Sequence, residues 1–187
     1  MSDKIRNFFA GIPGEQGPET PPLLPVNEKD GAPTESLYLL QFVEDGVEVR
    51  HSGENSRHPG HPYINYKVEV VAPDDYAGRP IYGMFYFPAP LEEDIDPESK
   101  QAKDHSRQTA QFVGALDEIL GEGTLGELQG GTLEDTLTGL VDMLEGEVFV
   151  GKVGVQAARK EDGVVVYPAR NRITYFHNKT TWLGEAS

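Results

Sequence analysis

The sequence predicts a mainly β domain with inserted helices, and three observations carry that expectation. Apolar and polar residues alternate cleanly from Tyr63 to Val71. The period becomes helical between Asp96 and Leu144, and it returns to two from Phe149 onward. A chain of 187 residues suits one domain with extensions, large enough to bury a core without disulfides or metal. Cysteine is absent, which excludes disulfides and thiolate metal sites and fits a cytoplasmic location. No apolar run approaches the roughly 18–20 residues needed to cross a bilayer. The apolar patch in Met1–Ala10 is too short for a signal peptide.

Residues 1–35 read as a flexible arm. Pro13, Pro18, Pro21, Pro22, Pro25 and Pro33, with Gly11, Gly14, Gly17 and Gly31, oppose both helix and ladder. The domain spans 36–177. Leu37–Val43, the turn Glu44-Asp45-Gly46 and Val47–Arg50 read as a strand that turns tightly and continues. His51–Pro62 is a polar loop. Tyr63–Val71 is the second strand, with Ile64, Tyr66, Val68 and Val70 on its buried face. Ala72–Pro80 is a turn, and Ile81–Phe87 is a third, aromatic strand. Asp96 and Pro97 suit the N-cap and first position of a helix, whose stripe is Phe112, Leu116, Ile119 and Leu120 and whose end is Gly121 or Gly123. Thr132-Leu133-Glu134-Asp135 opens a shorter helix with Leu133, Leu137, Leu140, Val141 and Leu144 as its buried side. A strand around Phe149–Gln156, a turn at Arg159–Gly163 and strands at Val164–Tyr167 and Arg172–His177 complete the domain, with 178–187 as a tail. Five strands with a helix between the third and fourth is the layout of an OB-type barrel, with a sandwich carrying an inserted helix as the alternative.

Charge is distributed unevenly over a chain of net charge −15. Leu91–Val150 holds fifteen acidic and three basic residues and should repel nucleic acid. From Gly151 to the end, six basic residues (Lys152, Arg159, Lys160, Arg170, Arg172 and Lys179) face three acidic ones, among Tyr167, Tyr175, Phe176 and Trp182. Cations beside aromatic rings on strand-like sequence are what single-stranded nucleic acid requires: charge for phosphates and flat faces for bases. On the third strand, Tyr82, Met84 and Tyr86 share the face opposite Ile81 and Phe85, and Lys67 neighbours them if strands two and three pair. Arg170-Asn171-Arg172 reads as a turn suited to phosphate contacts.

No phosphate-binding Gly-Lys-Ser/Thr loop, dinucleotide fingerprint, Gly-x-Ser-x-Gly elbow or His-Glu-x-x-His motif occurs, so the expectation is a protein without enzymatic activity or cofactor. His51, His58 and His61 share one loop, but His58-Pro59-Gly60-His61 kinks the backbone and no carboxylate at helical spacing supports a zinc site. They read as exposed loop histidines near a bound strand. Asp94, Asp96 and Glu98 lack the glycine and terminal glutamate of a calcium loop.

The segments Tyr63–Val71 with Gly78-Arg79-Pro80-Ile81-Tyr82, Leu144–Val153 and Arg170–Phe176 resemble a family of bacteriophage single-stranded DNA-binding or recombination-associated proteins with OB-folds. The resemblance implies an OB-type barrel that binds DNA strands exposed in replication or recombination, in the cytoplasm of the host bacterium. Lys67, Arg79, Lys152, Arg170 and Arg172 would hold phosphates, while Tyr82, Tyr86 and Tyr175 stack bases. Replication or recombination proteins would be met through the N-terminal arm or the Trp182 tail, with oligomers allowed and no membrane involved. The other expectation is a structural or assembly protein that docks through its arm.

Overall fold

A computed structural model describes residues 23–29, 32–56, 58–88, 91, 94–124, 131–161 and 164–185. A two-residue ribbon, β1 (Glu28–Lys29) with β2 (Ala32–Pro33), precedes the main sheet. That sheet contains β3 (Ser36–His51), β4 (Pro62–Ala72), β5 (Pro80–Phe85), β6 (Val148–Gln156) and β9 (Arg170–His177). Between β6 and β9 a small hairpin pairs β7 (Arg159–Glu161) with β8 (Val164–Tyr167). Helices α1 (Lys100–Leu120) and α2 (Leu133–Leu144) fall between β5 and β6, and the short α3 (Thr180–Glu185) follows β9. The protein is therefore mainly β, with a five-stranded antiparallel sheet and a few helices.

The strand order is β5-β4-β3-β6-β9, and every neighbouring pair is antiparallel. The sheet is open, since no ladder joins its edges β5 and β9 among the described residues. Those edges run in the same direction, and their inward rings meet: Phe85 and Phe176 lie 5.1 Å apart between centroids. Alternation explains which residues turn inward. Tyr38, Leu40 and Phe42 of β3, Ile64, Tyr66, Val68 and Val70 of β4, Ile81 and Phe85 of β5, and Phe149 and Val153 of β6 are buried in one core. Helix α1 adds Phe112, Leu116 and Ile119, and α2 adds Leu137, Leu140 and Leu144. Each fully buried Leu or Phe contributes about 1.5–3 kcal/mol.

Four local expectations need correction. Glu44-Asp45-Gly46 is not a tight turn: it is a bulge inside β3, where Phe42 pairs with Val68 and Val47 with Tyr66. The bulge is held from outside the sheet, because Asp45 N–H donates to Glu145 Oε1 (3.0 Å) and Gly146 N–H donates to the Phe42 carbonyl (3.1 Å). The N-cap of α1 is Ser99, whose Oγ accepts from Ala102 N–H, while Asp96 accepts from Glu98 N–H and closes a turn just before the helix. Arg159–Glu161 is a strand of the hairpin rather than a turn. Arg170-Asn171-Arg172 likewise lies inside β9, so its side chains alternate across the sheet.

Ahead of Ser36, Leu24 and Pro25 lie on the domain. Leu24 is only 3% exposed and belongs to the core. Asn171 grips it like a neighbouring strand: Leu24 N–H donates to Asn171 Oδ1 (2.7 Å) and Asn171 Nδ2 donates to the Leu24 carbonyl (3.3 Å). Tyr38 Oη donates to the Pro25 carbonyl (2.5 Å). Residues 1–22, the rest of the expected arm, lie outside the described residues.

Candidate nucleic-acid interface

β5, which stops at Phe85 rather than Phe87, presents Tyr82 and Met84 outward because Ile81 and Phe85 fill the core from its other face, and Tyr86 is exposed just beyond its end. Tyr82 is 60% exposed and Met84 57%. Gly83 stands over the buried Tyr66 ring, where a Cβ would collide with Tyr66 Cζ and Oη. Lys67 of β4 is the register partner of Tyr82, so a cation and an exposed ring sit side by side. Lys67 Nζ donates to Glu69 Oε1 at 2.7 Å, and that hydrogen bond holds the ammonium pKa above its ordinary value.

The same outer face continues toward the end of β3. Arg50 pairs in register with Tyr63, and Glu48 with Asn65. Arg50 Nε donates to Glu48 Oε1 at 2.7 Å, a contact that raises the guanidinium pKa. Here the loop histidines join the aromatic groups. His61 lies 5.2 Å from Tyr86 and 6.4 Å from His58, and Tyr63 lies 6.4 Å from Tyr86. His61 Nε2 faces the Phe87 carbonyl at 2.7 Å, which requires an N–H on that nitrogen. His51 is elsewhere, 3.4 Å from Glu134 of α2. Among the described residues no group of three or more His, Asp or Glu is placed to hold a metal ion.

On the other half of the sheet, Lys152 of β6 and Tyr175 of β9 form a second cation–ring register pair, with Tyr175 53% exposed. Lys152 Nζ lies 3.8 Å from Glu35 Oε2. A bulge follows Lys152, whose carbonyl accepts from Thr174 Oγ1 at 3.0 Å. Arg172 pairs with Gly154 and Arg170 with Gln156, where Arg170 Nε donates to Gln156 Oε1 at 3.0 Å. Among the described residues neither arginine forms an ion pair with the acidic helices.

The two pairs are far apart across the sheet. Glu69 pairs with Gln41 and Lys152 with Leu37, so Lys67 and Lys152 are six residues apart along the strands, about 20 Å at ~3.3 Å per residue. Around the seam they approach. Phe85 packs against Phe176 inside. The flanking residues Met84 and Tyr86 therefore emerge on the β5 side of the seam, and Tyr175 and His177 on the β9 side. Lys67–Tyr82 and Tyr175–Lys152 thus flank one edge-to-edge approach. Arg79 stands apart at the start of β5, its guanidinium 5.0 Å from the Tyr76 ring centroid.

Sequence alone does not single out Arg50 or Tyr63, and it marks Tyr167 only as one of the aromatic residues of the C-terminal stretch. The inward pair Val47 and Val49 already implies that Glu48 and Arg50 point out, so the signal for Arg50 was present. Tyr167, 60% exposed on β8 beside exposed Val165, needed the hairpin to be recognised. Trp182 is half-buried in α3. No helix among the described residues is long and apolar enough to cross a membrane. Comparison with models of known protein families, with curated proteins and with solved structures finds no match to this chain.

Proposed function

We propose that the chain is a single-stranded DNA-binding protein built on an OB-type barrel, serving phage DNA replication or recombination in the bacterial cytoplasm. It acts without catalysis or cofactor and with little sequence preference. The observation that carries this reading is the pair of cation–tyrosine neighbours, Lys67–Tyr82 and Lys152–Tyr175, flanking the β5/β9 seam. The strand order supports the barrel, since β3 lies between β4 and β6, the two larger helices fall between the third and fourth long strands, and β9 returns beside β5. A strand running over the seam places bases on Tyr82, Tyr86 and Tyr175, each stack worth about 1–3 kcal/mol, while Lys67, Lys152, Arg170 and Arg172 meet phosphates. Arg79, turned onto Tyr76, would serve only at the margin.

Fluorescence anisotropy with labelled oligo-dT tests this reading. Binding at low salt should weaken steeply as salt rises, with a log–log slope near −0.7 per phosphate neutralised. No binding at low salt overturns the proposal. The R170A/R172A variant should bind more weakly while unfolding at an unchanged midpoint; unchanged affinity removes those two residues from the site.

A second reading, an assembly protein docking through its N-terminal arm, is favoured by the Leu24 anchor, which fixes the base of the arm on β9. Light scattering after size exclusion, on full-length and arm-deleted protein, separates the two. Arm-dependent oligomers without DNA affinity favour assembly.

A further inference from the structure

The cations of β3, β4 and β6 on the outer face, Arg50, Lys67 and Lys152, are each met by a carboxylate of the same chain. Glu48 takes Arg50, Glu69 takes Lys67 at 2.7 Å, and Glu35 approaches Lys152 at 3.8 Å. None of these carboxylates comes from the acidic helices; they belong to β3, β4 and the segment just ahead of β3. The side chains are between 31% and 55% exposed, so solvent screens the pairs and opening one costs little.

Resting on the DNA reading above, we propose that Glu35, Glu48 and Glu69 are internal competitors for phosphate, which hold Arg50, Lys67 and Lys152 of the binding face in a self-neutralised state that a nucleic-acid strand must open. A phosphate that displaces a carboxylate frees the cation, but the carboxylate must then recruit a counterion from solution. The net release of cations that drives association is reduced accordingly. Affinity is thus set below what the number of lysines and arginines would give, and the bound strand dissociates readily. A protein of net charge −15 gains from this a face on which Arg50, Lys67 and Lys152 become basic only once it is occupied.

The test compares the wild-type chain with E35Q/E48Q/E69Q in anisotropy titrations against labelled oligo-dT over a range of salt concentrations. A control of equal charge change, E98Q/D104N/D142N, alters carboxylates on α1, α2 and the turn before α1. The face variant should bind about tenfold tighter at low salt, from three exposed pairs of modest strength each. Its log–log salt slope should steepen by up to about two, at ~0.7 per cation freed. The control should change affinity less than twofold. If the wild type binds and the face variant matches it, or if the control gains as much, the internal-competitor proposal is overturned while DNA binding stands. Binding by the face variant alone supports both readings. If no variant binds, the DNA reading itself falls and this proposal with it.

Discussion

At the scale of single residues, β5 shows how closely the exposed and buried faces depend on each other. Gly83 sits between exposed Tyr82 and Met84, and its missing side chain is the space occupied by the Tyr66 phenol. An added methyl must push that ring, which is packed against Phe42 and Phe85 at 5.6 and 4.8 Å. G83A should therefore cost about 1–3 kcal/mol in urea unfolding, the usual range for overpacking a filled core. An unchanged midpoint would show that Tyr66 can swing aside. Burial of the Tyr66 hydroxyl raises its pKa far above the ordinary tyrosine value. A raised folded pKa contributes stability that is complete below the unfolded value of about 10 and is lost as pH rises above it. Wild-type stability should fall above pH 10, and Y66F should flatten that fall; parallel alkaline limbs would assign it to other groups. Asn171 is the corresponding polar case. Its amide makes two hydrogen bonds to the Leu24 backbone, so N171A should cost about 1–3 kcal/mol and speed proteolysis before Ser36. Unaltered cleavage there would show that Leu24 holds by packing alone.

At the scale of elements, legibility followed the number of independent signals that agreed. Helix α2 was clear because a leucine stripe and a cap coincide: Thr132 Oγ1 accepts from Asp135 N–H, and Asp135 Oδ2 accepts from Thr132 N–H. That reciprocal bonding holds the Asp135 carboxyl below its ordinary pKa. A depressed folded pKa contributes stability that is present above the unfolded carboxylate value and lost as pH falls through the folded one. T132A should cost roughly 1 kcal/mol at neutral pH, measured by thermal unfolding. As pH falls through the carboxylate range the difference from wild type should shrink, and a constant difference would show that the cap acts through the hydroxyl alone. The start of α1 was misplaced because two caps compete. Asp96-Pro97 fits the rule, but Ser99 three residues later takes the helix and leaves Asp96 to its own turn. The bulge in β3 read as a turn for a related reason. Glu44-Asp45-Gly46 has turn chemistry, and only the contacts from Glu145 and Gly146, a hundred residues away, keep the strand continuous. Strand β7 was hidden because it is three charged residues long and offers no alternation.

At the scale of the whole molecule, the sequence supplied both halves of the candidate site but not their arrangement. Lys67 beside Tyr82 followed once adjacent strands paired, whereas Lys152 and Tyr175 were legible only as members of one basic, aromatic stretch and meet through the register of β6 with β9. That the halves flank a seam depends on β3 pairing with β6, where Ser36 meets Val153, and on Phe85 meeting Phe176. Pairings so distant in sequence leave no local trace, and they are slow to form because loop closure precedes their reward. They also make the domain indivisible. β6 contributes Phe149, Val150 and Val153, all fully buried, and Phe149 packs against Phe42 at 5.0 Å between centroids. A fragment ending at Gly146 would expose Leu40 and Phe42 along one edge of β3 and would lose Phe176 from the middle of the core. Removing one such ring costs about 3–5 kcal/mol, and removing two β strands exceeds the ~5–15 kcal/mol that holds a whole domain. Residues 23–146 alone should therefore give poorly dispersed amide resonances and no cooperative thermal transition. Adding the 147–187 peptide should restore dispersion only if β6 and β9 can be inserted after the meander of β3, β4 and β5 has formed. A cooperative transition in the fragment alone would mean that β3–β5 and the two helices close a core of their own, with the basic strands as an appended, separable edge.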